Sequence, residues 1–224
     1  IYTLLKKIII LLKMKKEELP TKIPVFPLSN FIIFPDTTVP LNIFEPRYLQ
    51  MVDDCMKSER CIGIVQPKRS GELKKPDLFN IGCIGKITSF NETEDGRYLI
   101  LINGLCRFKI QKEIETNRLY RECNVQYEDY LEDLSNKKNE NLELSKIINK
   151  FKSLFEKLGY SIDWKELENQ DSKKMINSLA MASPFSIEEK QVLLETINIK
   201  DREIKLDNII DTYLKDNFSN TTIQ

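Results

Sequence analysis

Histidine is absent from this sequence of 224 residues, and its absence removes several classes of catalytic site. Without histidine there is no Ser-His-Asp or Cys-His nucleophile pair, no histidine-ligated zinc or iron, and no imidazole base for neutral pH. The 34 basic and 34 acidic side chains cancel, so the chain has no net positive charge that would favour binding to nucleic acid. A hydrophobic fraction of 41% is typical of a globular protein with a buried core.

Metal-binding and phosphate-binding motifs are missing as well. The five cysteines include no CxxC pair, and we expect them to be small buried side chains of a cytoplasmic protein. Two residues separate Gly82 from Gly85, where a Walker A loop needs four, and Ile87 follows the lysine where that loop needs serine or threonine. We therefore expect no ATP hydrolysis, no cofactor and no metal.

The first residues, IYTLLKKIIILLKMKK, superficially resemble a targeting segment. Their apolar run from Ile8 to Leu12 is far shorter than the roughly 20 residues of a membrane span, and it is also shorter than a secretory signal core. The sequence begins with Ile1 and not with methionine, whereas Met14 would be an ordinary start residue. We expect the first 13 residues to lie upstream of the real start or to form a mobile basic tail, and we assign 1–19 to an N-terminal tail.

Glycine and proline divide the sequence unevenly, because six of the seven glycines and eight of the nine prolines lie before residue 130. These residues mark turns and interrupt helices, so the first part is predicted to be rich in strands and the last part helical. The expected organisation is an α+β chain with a β-barrel subdomain over 20–130, a helical bundle over 131–218 and a short tail over 219–224.

Within the first part, local patterns predict strands and one helix. Prolines scattered through the apolar segment from Ile23 to Pro40 predict short edge strands and packed loops. Pro46 suits the first position of a helix. Asn103-Gly104 separates two alternating runs, which predicts a hairpin with a type I′ turn, and Asp95-Gly96 predicts a second tight turn. About six strands in a mostly antiparallel sheet would make a closed or nearly closed barrel.

The last part carries the spacing of amphipathic helices. An apolar stripe from Leu144 to Leu158 is followed by Gly159, which suits the position just after a helix end. Ser186 and Glu189 have the spacing of a capping box, and Asp201 is predicted to cap the last helix. Four short helices would form a bundle.

Several short motifs recur in order along the first hundred residues. They are Phe34-Pro35, the run Ile43-Phe44-Glu45-Pro46-Arg47-Tyr48, Asp95-Gly96-Arg97-Tyr98, and Gly104 with Arg107-Phe108. In this order they resemble the N-terminal domain of the Lon family of ATP-dependent proteases. The resemblance continues into the helical part, where Leu179-Ala180 precedes SIEEKQVLLE.

The resemblance implies a PUA-like antiparallel β-barrel with one helix, followed by a helical bundle, over roughly residues 20 to 215. A full Lon protease would continue into an AAA+ module and a Ser-Lys peptidase, and neither is present before Gln224. We expect a stand-alone domain or a fragment cut at that boundary, without catalysis of its own. In the family this domain is associated with substrate recognition and hexamer assembly.

The resemblance and the density of aromatic residues suggest a shallow apolar surface that binds unfolded or extended polypeptide. A proline-containing sheet edge can also pair with an extended segment. Arg47 would orient a carbonyl or carboxylate. The predicted binding residues are Phe31, Phe34, Pro35, Phe44, Arg47 and Tyr48. Two structural alternatives stay open: Phe34, Phe44 and Tyr48 are core residues, and Glu45 pairs with Arg47 at the helix start.

Two other functions are compatible with the sequence. PUA-like barrels also bind RNA, in which case the loop from Lys68 to Lys75 would contact phosphates together with Arg97, Arg107 and Lys109. Alternatively, the helical bundle docks on a separate ATPase or protease as an adaptor. No membrane partner is expected.

Overall fold

A computed structural model of the chain describes residues 16–29, 31–68, 75–135, 142 and 144–219. The chain divides into two compact units, Ile1–Ser135 and Asn136–Gln224. Most of the predicted N-terminal tail lies outside the described residues, and so does most of the predicted C-terminal tail. Lys16–Glu18 forms one turn of 3₁₀ helix, and Leu19, which directly follows it, is buried.

The first unit contains a mixed sheet of six strands and one α-helix, α1, at Pro46–Met56. The sheet order is β2-β5-β4-β3-β1-β6, and β6 also pairs with the second half of β5. The strands are β1 at Lys22–Pro27, β2 at Thr38–Ile43, β3 at Cys61–Val65, β4 at Ile81–Glu92, β5 at Tyr98–Ile114 and β6 at Arg121–Gln126.

The α+β class and the strand number are as predicted, but the prediction of a closed antiparallel barrel was wrong. β1 and β3 run parallel, because the chain crosses over through β2 and α1 between them. Within the described part of the chain β2 pairs with β5 alone, so it remains an edge strand and the six-stranded sheet is not a closed barrel, although the β5–β6 pairing links the ends of the other five strands.

The predicted hairpin at Asn103-Gly104 is also wrong, since β5 runs straight through both residues. Gly104 serves close packing instead of a turn: a Cβ atom there would lie 2.2 Å from the Phe34 carbonyl oxygen. The predicted turn at Asp95-Gly96 is confirmed, with Gly96 at φ 76° between β4 and β5. The long β4–β5 hairpin therefore reverses at the second of the two predicted turns.

A buried ion pair joins β5 to the 3₁₀ helix at Glu128–Leu134. The side chains of Arg107 and Asp133 are each 2% exposed. The Arg107 Nε donates to Asp133 Oδ2 at 2.8 Å, its Nη2 donates to Oδ1 at 2.9 Å, and its backbone N–H donates to Oδ2 at 3.0 Å. The guanidinium also lies 4.4 Å from the centre of the Tyr130 ring. This pair fixes the end of the first unit onto the sheet.

The second unit is a helical bundle whose helices are α2 at Leu144–Lys157, α3 at Trp164–Glu168, α4 at Ser172–Ala182, α5 at Ile187–Glu195 and α6 at Ile199–Ser219. Five helices are described where four were predicted, because the short α3 has no apolar stripe long enough to detect. No helix in the described ranges is both long and apolar enough to cross a membrane.

Local capping signals in this unit were mostly correct. Gly159 follows α2 with φ 73°, and Ser186 with Glu189 forms the predicted capping box of α5. The predicted cap at Asp201 was wrong by one turn. The Asn198 side chain accepts the Asp201 N–H at 2.8 Å, so Asn198 occupies the capping position and Asp201 lies inside the first turn.

Candidate functional site

The predicted binding residues do not form one surface. Phe34 and Pro35 are buried in the loop before β2, with Phe34 0% exposed, and the Thr37 hydroxyl donates to the Phe34 carbonyl at 2.6 Å. Phe31 is half-buried, and its carbonyl accepts from the Gln66 side-chain amide at 3.4 Å. The side chains of Phe34 and Pro35 therefore support the fold and offer no contact area to a ligand.

Phe44 is the most exposed of the predicted aromatic residues, at 62%. It follows β2 directly, and the Arg97 guanidinium lies 5.9 Å from the centre of its ring. The core alternative is thus correct for Phe34 and Tyr48, which is 5% exposed, but not for Phe44.

Arg47 and Tyr48 are brought together at the start of α1, where Pro46 occupies the first turn and Glu45 is extended. The Arg47 guanidinium pairs with Glu45 at 2.7 Å and lies 4.5 Å from the centre of the Tyr48 ring. Tyr48 packs on Phe26 with ring centres 4.1 Å apart, and its burial raises the pKa of the phenol. The ion pair is exposed, so it orients Arg47 without adding much stability.

These two residues line a cleft of about 420 Å³ in the first unit. Its other walls come from the end of β1, the loop around Pro67 and Pro76, the end of β5 from Glu113, and the segment that leads into β6. The cleft thus combines a helix start, a strand end and two loops that are distant in the sequence.

A charged cluster around Glu113 forms one wall of the cleft. Arg121 donates to the two carboxylate oxygens at 3.1 and 2.8 Å, and Lys75 contacts the carboxylate at 3.0 Å. A further Arg121 N–H donates to the Pro76 carbonyl at 2.7 Å. Burial alone would raise the pKa of Glu113, but the hydrogen bonds from Arg121 and Lys75 outweigh it and lower that pKa. Two cations therefore share one carboxylate.

The segment before β6 is bonded to α1. Arg118 hydrogen-bonds to Asp54 and to the Tyr120 hydroxyl, which itself donates to Asp54 at 2.8 Å. Burial, followed by the hydrogen bond to Asp54, raises the pKa of Tyr120. The backbone N–H of Leu119 donates to the Gln50 side chain at 2.8 Å. These bonds hold the Leu119 side chain at the cleft with 62% of its surface exposed.

The cleft combines cations held in ion pairs, the carboxylates of Glu113 and Glu115, and apolar side chains. All five cysteines are buried, and burial raises the pKa of Cys55 to about 12 and that of Cys61 to about 11, so neither is a ready nucleophile. Within the described ranges no three metal-ligating side chains cluster.

The edge strand β2 offers only an interrupted template for strand addition. The Gly104 N–H donates to the Thr37 carbonyl at 2.9 Å. Because hydrogen-bonded pairs alternate along an antiparallel ladder, the backbone groups of Thr38, Pro40 and Asn42 face away from β5. Pro40 has no N–H, so the middle of this edge lacks a donor. On β5, Leu99 and Leu101 remain 45% and 39% exposed.

The residues proposed for RNA contacts do not form one face. Arg107 is buried against Asp133, and Arg97 pairs with Asp95 at 2.8 Å. Residues 69–74 of the basic loop lie outside the described residues, while Lys75 pairs with Glu113. A phosphate-contacting surface built on Arg107 is thereby contradicted.

A row of exposed Leu or Ile side chains on the bundle would favour the adaptor hypothesis. The large exposed apolar residues of the second unit instead lie on separate segments. They are Leu158, Tyr160, Val192, Ile197 and Ile204.

Sequence reasoning found Arg47 and Tyr48 but missed other residues that line the cleft with them. Leu119 lies between Arg118 and Tyr120 in a polar stretch, and an isolated leucine in such a stretch is the one local signal that was present. The pairing of Glu113 with Arg121 depends on how the strands meet, so no spacing rule indicated it.

Comparisons with known proteins agree with this architecture. Residues 22–212 match the family model described as the ATP-dependent protease La (LON) substrate-binding domain. A Lon N-terminal domain protein from Xanthomonas campestris has a similar fold, with a TM-score of 0.60, 19% identity, and coverage of 86% of this chain and 98% of that one. The N-terminal domain of the Mycobacterium avium complex Lon protease has a TM-score of 0.60, 16% identity, and coverage of 85% and 98%.

Two curated relatives are full-length proteases. The Lon protease of Cytophaga hutchinsonii is 31% identical over 105 residues, which are 46% of this chain and 13% of that protein. Lon protease 2 of Myxococcus xanthus is 25% identical over 226 residues, which are 92% of this chain and 27% of that protein. The chain therefore spans about a quarter or less of the length of these relatives. With a family model matching most of its residues, the chain belongs to the ATP-dependent protease La (LON) substrate-binding domain family.

Proposed function

We propose that this chain is a non-catalytic module that recognises unfolded or extended polypeptide segments, and that the cleft beside Arg47 and Tyr48 is its binding surface. The observation that carries the proposal is the combination, in one cleft, of an exposed apolar side chain with fixed cations. Family membership supports substrate recognition, and the matched family is a binding domain.

An extended polypeptide presents apolar side chains alternating with backbone carbonyls. Leu119, which is 62% exposed, supplies apolar contact area, and Tyr48 lines the same cleft with 5% of its surface exposed. Arg47 is held beside them by an exposed ion pair, so its guanidinium can reorient toward a carbonyl at little cost. Pockets with apolar walls and a few fixed polar groups are the usual form of specific binding sites.

The cleft is favoured over the edge of β2. An added strand would find no donor at Pro40, whereas the cleft needs no continuous ladder. Polypeptide binding through the cleft therefore depends on side chains, and it tolerates different sequences as long as apolar residues are present.

The test compares two leucines of the first unit. Leu119→Ser removes an exposed cleft residue, and Leu99→Ser removes an exposed residue outside the lining of the cleft. Fluorescence anisotropy of a labelled, permanently unfolded polypeptide should show about tenfold weaker binding for Leu119→Ser, the loss expected when most of a leucine contact is removed. The control variant should bind like the parent chain.

Thermal unfolding separates binding from stability, because neither leucine is buried. Both variants should unfold within a degree or two of the parent protein. Equal loss of binding in the two variants, or loss in Leu99→Ser alone, would move the binding surface to the outer face of the sheet.

A further inference from the structure

We propose that the cleft recognises the C-terminal carboxylate of a polypeptide, with the apolar side chain of the last residue packed beside it. This inference rests on the proposed function, since it specifies which part of a polypeptide the cleft binds. Its ligand is a chain end that carries one negative charge and one apolar side chain.

The balance of charge at Lys75 is the first argument. Lys75 and Arg121 both pair with Glu113, so this cluster retains one uncompensated positive charge. Arg47 and Arg118 also line the cleft, but each already has its own carboxylate, Glu45 and Asp54 respectively. Glu115 also lines the cleft and balances its total charge, so the excess is local to the Lys75 ammonium, whose side chain is 68% exposed.

The position of Arg121 is the second argument. Its guanidinium is fixed by Glu113 and by the Pro76 carbonyl, and its side chain is only 19% exposed. A cation held in this way loses little side-chain entropy when an anion arrives, and charge-assisted hydrogen bonds to it are strong. Lys75 then supplies the mobile contact and Arg121 supplies the fixed one.

The apolar walls explain why the anion would be a chain end. Leu119 and Tyr48 lie in the same cleft as the cations, and they match the apolar side chain that a terminal residue carries next to its carboxylate. A nucleic acid instead brings a phosphate with every nucleotide, and the cleft has no net positive charge for those further phosphates, because Glu45, Asp54 and Glu115 offset its other cations. A volume of about 420 Å³ suits the last few residues of a chain.

The experiment uses the full chain and two labelled peptides of one unstructured sequence that ends in leucine. One peptide has a free carboxylate and the other a C-terminal amide. The acid should bind about tenfold more tightly than the amide, the ratio expected for one charge-assisted contact. Lys75→Gln should reduce this ratio to about twofold, whereas Lys109→Gln should leave it unchanged. Lys109 is an exposed lysine on β5 that does not line the cleft.

Each outcome has a definite meaning. Equal binding of acid and amide would overturn the carboxylate assignment while leaving polypeptide recognition intact. Binding of neither peptide would contradict the proposed function as well. Tighter binding of a single-stranded RNA than of the acid peptide would assign the cations to a polyanion and overturn the inference.

Discussion

Removing the Asp133 carboxylate should destabilise the first unit strongly. Asp133 and Arg107 are each 2% exposed, and the carboxylate accepts three hydrogen bonds from Arg107. The substitution Asp133→Ala would remove the carboxylate that pairs with this buried guanidinium. Breaking one side of such a buried pair costs about 3–5 kcal/mol, a large share of the roughly 5–15 kcal/mol that stabilises a typical domain.

A matched control exists at the exposed pair of Arg97 and Asp95. Its closest contact is also 2.8 Å, but its side chains are 51% and 58% exposed. Asp95→Ala should therefore cost far less, because water screens the pair and solvates the arginine that remains. Both substitutions delete a carboxylate that pairs with an arginine, so the comparison contrasts a buried pair with an exposed one.

Urea unfolding followed by circular dichroism measures both variants. With a slope of about 2 kcal/mol per molar urea, Asp133→Ala should lower the midpoint by about 2 M and Asp95→Ala by less than about 0.5 M. Replacing both partners, as Arg107→Met with Asp133→Leu, should recover much of the loss, because no unpaired charge then remains. A midpoint for Asp133→Ala within about 0.5 M of the parent would refute the reasoning.

Three further outcomes follow from the same structure. Gly104→Ala should lower the thermal midpoint by several degrees, since its Cβ would lie 2.2 Å from a backbone oxygen; an unchanged midpoint would mean that β5 can shift there. The lowered pKa of Glu113 adds stability above the pKa of the unfolded chain, so the advantage of the parent over Glu113→Gln should fade as the pH drops from about 5 toward 3; a constant difference in urea midpoint would contradict this. The five buried thiols should react with Ellman's reagent at pH 8 only after unfolding, and rapid labelling of the folded chain would show that burial does not control them.

Local signals in the sequence predicted those features that depend on a few neighbouring residues. The capping box of Ser186 and Glu189, the start of α1 at Pro46 and the turn at Gly96 all formed as expected. In each of them a side chain or a backbone angle is satisfied within four residues, and no distant contact overrides it.

The failure at Asn103-Gly104 has a different origin. The dipeptide is a good type I′ turn, but the same glycine is also needed where the Phe34 backbone crosses β5. Packing against the Phe34 backbone prevails over the turn, and Phe34 lies about seventy positions away in the sequence. The parallel pairing of β1 with β3 was missed for the same reason, because period-2 patterns do not reveal strand direction.

The aromatic residues of the predicted site show how one segment serves two purposes. Phe34 and Tyr48 occupy the core, while Phe44 between them is exposed. Composition alone gave all three the same role, since each is apolar and lies in a dense run. Only the placement of the loop and of α1 against the sheet separates them.

The residues of the cleft fall into two groups, according to whether their position depends on the register of the sheet. Glu113 and Arg121 belong to the paired strands β5 and β6, so a slip of one residue would turn one of them to the opposite face. Substitutions at these two positions will therefore change binding and stability together. Lys75 and Leu119 are exposed and lie outside the ladders, so substitutions there can change binding alone. A substrate-binding surface of this kind can vary its specificity at exposed positions while its fixed cation is kept by the fold.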